Sequence, residues 1–181
     1  MRKIVLTYGL IAGGILAVTF LITLPFHDAI GFDRAMVVGY TSMVLAFLLI
    51  FFGVRSYRDN VAGGHVSFGR ALAVGALIGV VASMCYVLTW EVIYFGTKSD
   101  YIEKYQAHMI EKARKAGESS EAIAAKQVEM TKFAEMYKNP LINSAMTFME
   151  PLPVALVVAL VTAGVLSRRR KTEPAPATAT A

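Results

Sequence analysis

Two acidic residues stand where charge is hardest to keep. Glu150 lies about nine residues into the last apolar stretch of the chain, and Glu91 follows Trp90 near the end of the third. A carboxylate facing lipid is strongly disfavoured, so acids within apolar spans mark proton or cation pathways by default. Should the two meet just inside a membrane boundary, they would form a low-dielectric pair able to hold a proton or a cation between them. The opposing structural reading lets each acid meet the headgroup region. For Glu150 it starts the last span at Pro151, where proline is tolerated in a first turn and a carboxylate complements the positive helix end. That reading is preferred, because Pro151 and Pro153 would both strain a continuous helix. A kinked span is retained beside it, because a start at Pro151 leaves about 16 residues where about 20 are needed.

A second candidate joins the second and third apolar runs. Arg55, Arg58 and Arg70 accompany Gly63 and Gly64, a composition that could present cations and backbone N–H groups to a phosphate or an anionic lipid headgroup. The plainer account has the arginines setting topology and the glycines turning the chain, with Asp59 beside Arg58 as a local ion pair. The GxxxxGK[ST] pattern of a P-loop does not occur. His27, His65 and His108 fall singly in three loops without HExxH spacing. His27 and His108 share one side and could meet, but no carboxylate-flanked ligand spacing accompanies them. The sole cysteine, Cys85, lies in an apolar run and can form neither an internal disulfide nor a cysteine zinc site. Met130, Met136, Met146 and Met149 are read as packing residues rather than a soft-metal site. No Gly-x-Ser-x-Gly elbow or other nucleophile motif occurs. Neither a metal, a cofactor nor an enzymatic activity is expected.

These residues must be positioned by helices in a bilayer. Of 181 residues, 56% are hydrophobic and 17% are charged, against about 25% charged in a usual soluble domain. The charges are segregated along the chain, leaving four apolar runs at about 4–24, 35–54, 71–95 and 141–166, each long enough to cross roughly 30 Å of hydrocarbon. The first run ends in Leu24-Pro25-Phe26-His27 without a small-x-small cleavage site, so it is read as a span and not as a signal peptide. Ser67 stands ready to cap the third helix. The expected fold is an all-α membrane domain over residues 1–171.

Between Gly96 and Pro140 the composition changes abruptly, with eight Lys or Arg and seven Asp or Glu, which lipid excludes. Tyr101, Tyr105, Met109, Ala113 and Ala116 recur at helical spacing, opened by Asp100 and Glu103 as a capping box and stopped by Gly117. Ile123, Gln127, Met130, Ala134 and Tyr137 trace a second helix, opened by Ser119 or Ser120 and ended by Asn139-Pro140. Residues 96–140 therefore read as a helical hairpin. The tail 172–181, rich in Thr, Ala and Pro, reads as disordered.

Small residues recur every four positions at Gly9, Gly13 and Ala17, at Ala71, Gly75, Gly79 and Ser83, and at Ala155, Ala159 and Ala163. Such stripes let helices approach closely in lipid. They are expected to pack the chain's own bundle, with one stripe left over if a partner subunit exists. Arg2, Lys3, Arg55, Arg58, Arg70 and the cluster 168–171 all fall on one side of a four-helix count, with only Arg34 in the short loop opposite. The positive-inside rule then puts both ends in the cytoplasm and the hairpin outside. The net charge of +5 is scattered over loop ends and one terminal cluster, with no basic face interleaved with aromatics, so nucleic acid is not an expected partner.

Two stretches resemble the signature of a bacterial membrane family, domain-of-unknown-function family 4199. They are Tyr57-Arg58-Asp59 with Gly63-Gly64 and Ser67-Phe68-Gly69, and Thr147-Phe148-Met149-Glu150-Pro151-Leu152-Pro153. The resemblance covers nearly everything up to Lys171 and implies a bacterial membrane location and four helices, without an activity or ligand. The leading expectation is a non-enzymatic inner-membrane protein, packing in the lipid bilayer and presenting its hairpin to an envelope partner or another copy of itself. A small cation-coupled transporter using Glu91 and Glu150, and a headgroup-binding protein or enzyme at the Arg55–Arg70 loop, are the alternatives.

Overall fold

A computed structural model describes residues 1–97 and 99–168. The expected tail, residues 169–171 of the basic cluster and the side chains of Pro25, His27 and Asp28 lie outside it. Among the described residues the chain is helical throughout, with no strand. Helix α1 (Arg2–Thr23) leads through a 3-10 turn (Leu24–Phe26) and the short α2 (His27–Ile30) into α3 (Phe32–Asn60). Helix α4 (Phe68–Gly96) precedes the hairpin α5 (Tyr101–Lys115) and α6 (Ser120–Tyr137), and the chain ends in α7 (Pro140–Met149) and α8 (Pro151–Leu166). The four apolar runs become four helical stretches long and apolar enough to cross a membrane, Arg2–Thr23, Phe32–Asn60, Phe68–Gly96 and Pro140–Leu166. At about 1.5 Å per residue even the shortest exceeds the hydrocarbon thickness of roughly 30 Å.

Helix α4 is the axis of the bundle, packing against α1, α3, α7 and α8. Phe47, Ile50, Val74 and Ile78 are fully buried where α3 and α4 meet, while Val37, Leu45, Leu88, Val92 and Val161 stay exposed on the outer faces. A protein that is apolar inside and outside suits a lipid solvent, where outward leucines and valines need no cover. The small-residue stripes form the two tightest seams. A β-carbon added at Gly9 or Gly13 would meet Val81 or Cys85 of α4, and one at Gly75 or Gly79 would meet Ala159 or Ala155 of α8. None of the three stripes is left over for a partner.

Two expected caps are not made. Ser67 and Asp100 occupy the N-cap positions of α4 and α5, but neither side chain bonds to the helix end. Asp100 pairs instead with Lys104 at 3.3 Å, and the Tyr101 amide donates to the Ser99 hydroxyl at 3.2 Å. A carboxylate has both options here, and the neighbouring serine leaves it free to take the charged one. Ser119 does cap α6, accepting from the Ala122 amide, and Gly117 (φ +76°) closes α5 as expected.

The hairpin bends back over the end of the bundle where α1 stops and α3 begins. Phe32 stacks on His108, with ring centres 5.0 Å apart, and the Lys112 ammonium donates to Asp33 at 2.8 Å. Lys112→Glu would set a carboxylate against Asp33. It is expected to raise amide hydrogen exchange along α5 while exchange in α4 stays unchanged; equal protection of α5 in both proteins would exclude this clasp from docking the hairpin.

Candidate functional site

The junction of α7 and α8 organises the hairpin end of the bundle. Asn139 starts α7 by accepting from the amides of Leu141 and Ile142 at 3.0 and 3.4 Å, with Pro140 in the first turn. Asn143 and Thr147, one helical turn apart, then face inward and are buried. The next polar residue, Glu150, has helical backbone angles (φ −73°, ψ −56°), so α7 runs into α8 as one interrupted 27-residue span. The interruption has a covalent cause: Pro151 and Pro153 carry no N–H to continue the ladder. The expected break before Pro151 is thus present, and the helical path runs through it from Pro140 to Leu166.

A hydrogen-bond chain ties this junction to α4 and α6. Trp90 Nε1 donates to the Tyr137 hydroxyl at 2.8 Å, and Tyr137 lies 3.4 Å from the Thr147 hydroxyl. Thr147 donates to Asn143 Oδ1 at 3.2 Å, and Asn143 Nδ2 donates to the Tyr137 carbonyl at 3.2 Å. Indole can only donate and each hydroxyl can donate and accept, so the proton direction Trp90 to Tyr137 to Thr147 to Asn143 satisfies every member. This holds the hairpin's second helix against the bundle without burying a charge.

Glu150 does not cap α8. Its Oε2 accepts from the Tyr86 hydroxyl of α4 at 3.0 Å, and five residues on, Glu91 Oε1 accepts from Ser144 of α7 at 2.8 Å. The two acids therefore lie along the same antiparallel α4–α7 seam, each with its own hydroxyl partner and not with each other. Their surroundings differ. Glu150 lines a cavity of about 350 Å³ at the hairpin end, and Glu91 is not among the residues lining it.

Residues of α1, α3, α4, the hairpin and α7 line this cavity. Phe20, Tyr86 and Trp90 form its inner wall, Met36, Gly39 and Met43 of α3 the facing wall, and Tyr101, Tyr105 and Phe133 of the hairpin its roof. The rings touch in sequence: Tyr86 to Phe20 at 5.8 Å, Phe20 to Trp90 at 5.3 Å and Trp90 to Tyr101 at 5.0 Å, mostly edge to face. Such geometry suits the ring quadrupoles. Glu150 is the only charged residue among the described residues of the lining. Burial first, then the Glu150 charge, pushes the Tyr101 hydroxyl well above the ordinary phenol range. Burial also raises Tyr137, against the lowering effect of its bonds with Thr147 and Trp90. Both hydroxyls are therefore neutral at physiological pH.

The other sequence candidates lie elsewhere. Arg58 and Arg55 both turn to Asp59, at 2.7 and 3.6 Å. Gly63 and Gly64 have φ of +67° and +85°, and the Gly64 amide donates to the Arg58 carbonyl at the end of α3. Arg70 is exposed at the start of α4. The glycines thus reverse the chain, and Gly64 has committed its N–H to that turn. His65 is exposed in the same loop, and the side chain of His27 lies outside the described residues. Met146 lines the cavity while Met136 and Met149 are exposed, so these methionines do not converge.

Tyr86, Trp90 and Asn143 are site residues that the sequence alone did not single out. The available signal was the Asn143-x-x-x-Thr147 spacing, two polar side chains on one face of an apolar run. No curated protein and no solved structure matches the chain. A family model does, covering residues 7–168 and so including every residue of this site, and the chain accordingly belongs to the family described as protein of unknown function (DUF4199).

Proposed function

We propose that this is a non-enzymatic binding protein of the bacterial inner membrane that admits a small ligand to the cavity at the hairpin end of its bundle. The observation that carries this reading is the aromatic cavity of about 350 Å³ with Glu150 in its lining. That volume falls at the lower end of the about 300–1,000 Å³ usual for small-molecule sites, and a few polar groups in an apolar lining are their usual composition. A role confined to packing against partner proteins has less support, because the small-residue faces are consumed by the α1–α4 and α4–α8 seams. The same reading places both termini in the cytoplasm and the hairpin outside, supported by Arg2, Lys3, Arg55, Arg58 and Arg70 at the end opposite the hairpin.

Cysteine labelling tests both parts. In a Cys85→Ala background, Met36→Cys and Met146→Cys are expected to react in intact cells with a membrane-impermeant maleimide, whereas Ala62→Cys reacts only after the cells are permeabilised. Labelling of Ala62→Cys in intact cells overturns the orientation. Failure of both cavity positions to react even in detergent overturns the open cavity.

A further inference from the structure

We propose that the cavity is a recognition site for an alkylated ammonium group, with Glu150 supplying the counter-charge and the surrounding rings the cation-binding faces. This deepens the proposed function and rests on the cavity being a ligand site.

The lining excludes the other ligand classes in turn. An anion would meet the Glu150 carboxylate and find no Lys or Arg among the described lining residues. A neutral acyl chain would offer Glu150 no partner beyond the Tyr86 hydroxyl it already holds. A bare metal ion needs a shell of oxygen, nitrogen or sulfur ligands, about six to eight oxygens for a calcium. The described residues hold no group of three or more His, Cys, Asp or Glu that could supply one. An ammonium whose protons are replaced by alkyl groups has the opposite needs. It spreads its charge over a weakly hydrated apolar surface, is attracted to tryptophan and tyrosine faces within about 6 Å of the ring centre, and gains from one acid nearby.

Position supports the same conclusion. Trp90 and Tyr86 lie on one face of α4, one helical turn apart, and Glu150 reaches Tyr86 at 3.0 Å from α7. Trp90 is fixed by its bond to Tyr137 and by edge contacts with Phe20 and Tyr101. Tyr86 contributes a hydrogen bond to Glu150 but no charge, so it orients the carboxylate without neutralising it. The acid and the aromatic wall are therefore held in place before any ligand arrives, which reduces the ordering that binding must impose.

Trp90 is the only tryptophan in the chain, so its fluorescence reports on the cavity directly. Titrating phenyltrimethylammonium into the full-length protein in detergent is expected to change Trp90 emission saturably. Its neutral carbon isostere, tert-butylbenzene, should bind about tenfold or more weakly, the scale of a desolvated cation–aromatic contact. Glu150→Gln keeps an oxygen for Tyr86 to donate to, so it preserves the fold. It should weaken the cation by about tenfold or more while leaving the neutral isostere unchanged. Equal binding of the two ligands, or of the cation to wild type and Glu150→Gln, overturns the ammonium reading but leaves the cavity as a ligand site. If neither ligand binds, the ammonium reading also fails, and the labelling of Met36→Cys and Met146→Cys decides separately whether the cavity stands. Repeating the titration in nanodiscs identifies the source of the group. Competition by phosphatidylcholine but not phosphatidylglycerol supports a lipid headgroup ammonium, and equal affinity in both supports a free organic cation.

Discussion

Gly13→Leu is expected to break the seam between α1 and α4 and to destabilise the bundle by about 3 kcal/mol or more, at the upper end of overpacking costs. A β-carbon at this position would stand 2.5 Å from Cys85 Cβ, 2.8 Å from its sulfur and 3.3 Å from the Ala82 backbone. Real β-carbons do not approach so closely. The sulfur can turn aside, but the Cys85 β-carbon and the Ala82 backbone are fixed to the facing turn of α4, so the helices themselves must separate. Separation would carry Phe20 away from Tyr86 and Trp90 and open the inner wall of the cavity. Reversible unfolding in mixed micelles checks the size of the effect. Gly14→Ala is the matched control, because nothing lies within 4 Å of its added carbon. It should be neutral or stabilising by up to about 1 kcal/mol from helix propensity alone. Adding Cys85→Gly to Gly13→Ala should recover part of the loss, with a coupling of about 0.5–3 kcal/mol between contacting positions. Equal tolerance of substitutions at Gly13 and Gly14 would remove the close α1–α4 approach as the basis of the fold.

Asn143→Leu, nearly isosteric, should lower stability by about 2 kcal/mol, within the about 1–3 kcal/mol of leaving a buried polar partner unsatisfied. The substitution takes the donor from the Tyr137 carbonyl and the acceptor from Thr147, in a fully buried position. Hydrogen bonds between membrane helices average only about 0.6 kcal/mol, because the unfolded chain in lipid finds other partners. The larger value is expected here because one side chain serves two groups at a helix end, where carbonyls lack partners within the helix. The consequence should be local. Loss of Asn143 frees the end of α6, and the Tyr137 hydroxyl then holds Trp90 less firmly, so Trp90 emission should shift red as water reaches the indole. Tyr137→Phe removes the acceptor of the same indole and should have a comparable effect. Together the two changes should total less than the sum, since they act on one chain of bonds. Strict additivity would show that Asn143 and Tyr137 act independently.

The division between what was legible and what was not follows the range of the forces concerned. The four spans could be read because exclusion of charge from hydrocarbon acts residue by residue, so a charge-free run of sufficient length is enough. The hairpin followed from the same rule inverted, since fifteen charges between Gly96 and Pro140 cannot enter lipid. The stripes of Gly and Ala were legible as seams because helical periodicity alone puts every fourth residue on one face. Where two local rules compete for one side chain, only packing chooses between them: Asp100 pairs with Lys104 and leaves the α5 cap unmade, whereas Gly63 and Gly64 turn the chain after α3 as the plainer reading had it.

The chain by itself thus determined the spans, the hairpin and the faces that pack, because hydropathy and helical period are properties of short segments. Tertiary structure decided what Glu150 does. Tyr86 is 64 positions away in sequence, and Phe20, Trp90 and Tyr101 come from three other elements, each readable alone as an ordinary apolar or interfacial residue. They become one cavity because the Gly13 and Gly79 seams bring α1 and α8 against α4, while the prolines at 151 and 153 interrupt the last span beside it. An acid in an apolar run can be noticed from sequence. The ring of aromatics around it depends on which helix faces meet, and that is fixed by packing across the whole bundle.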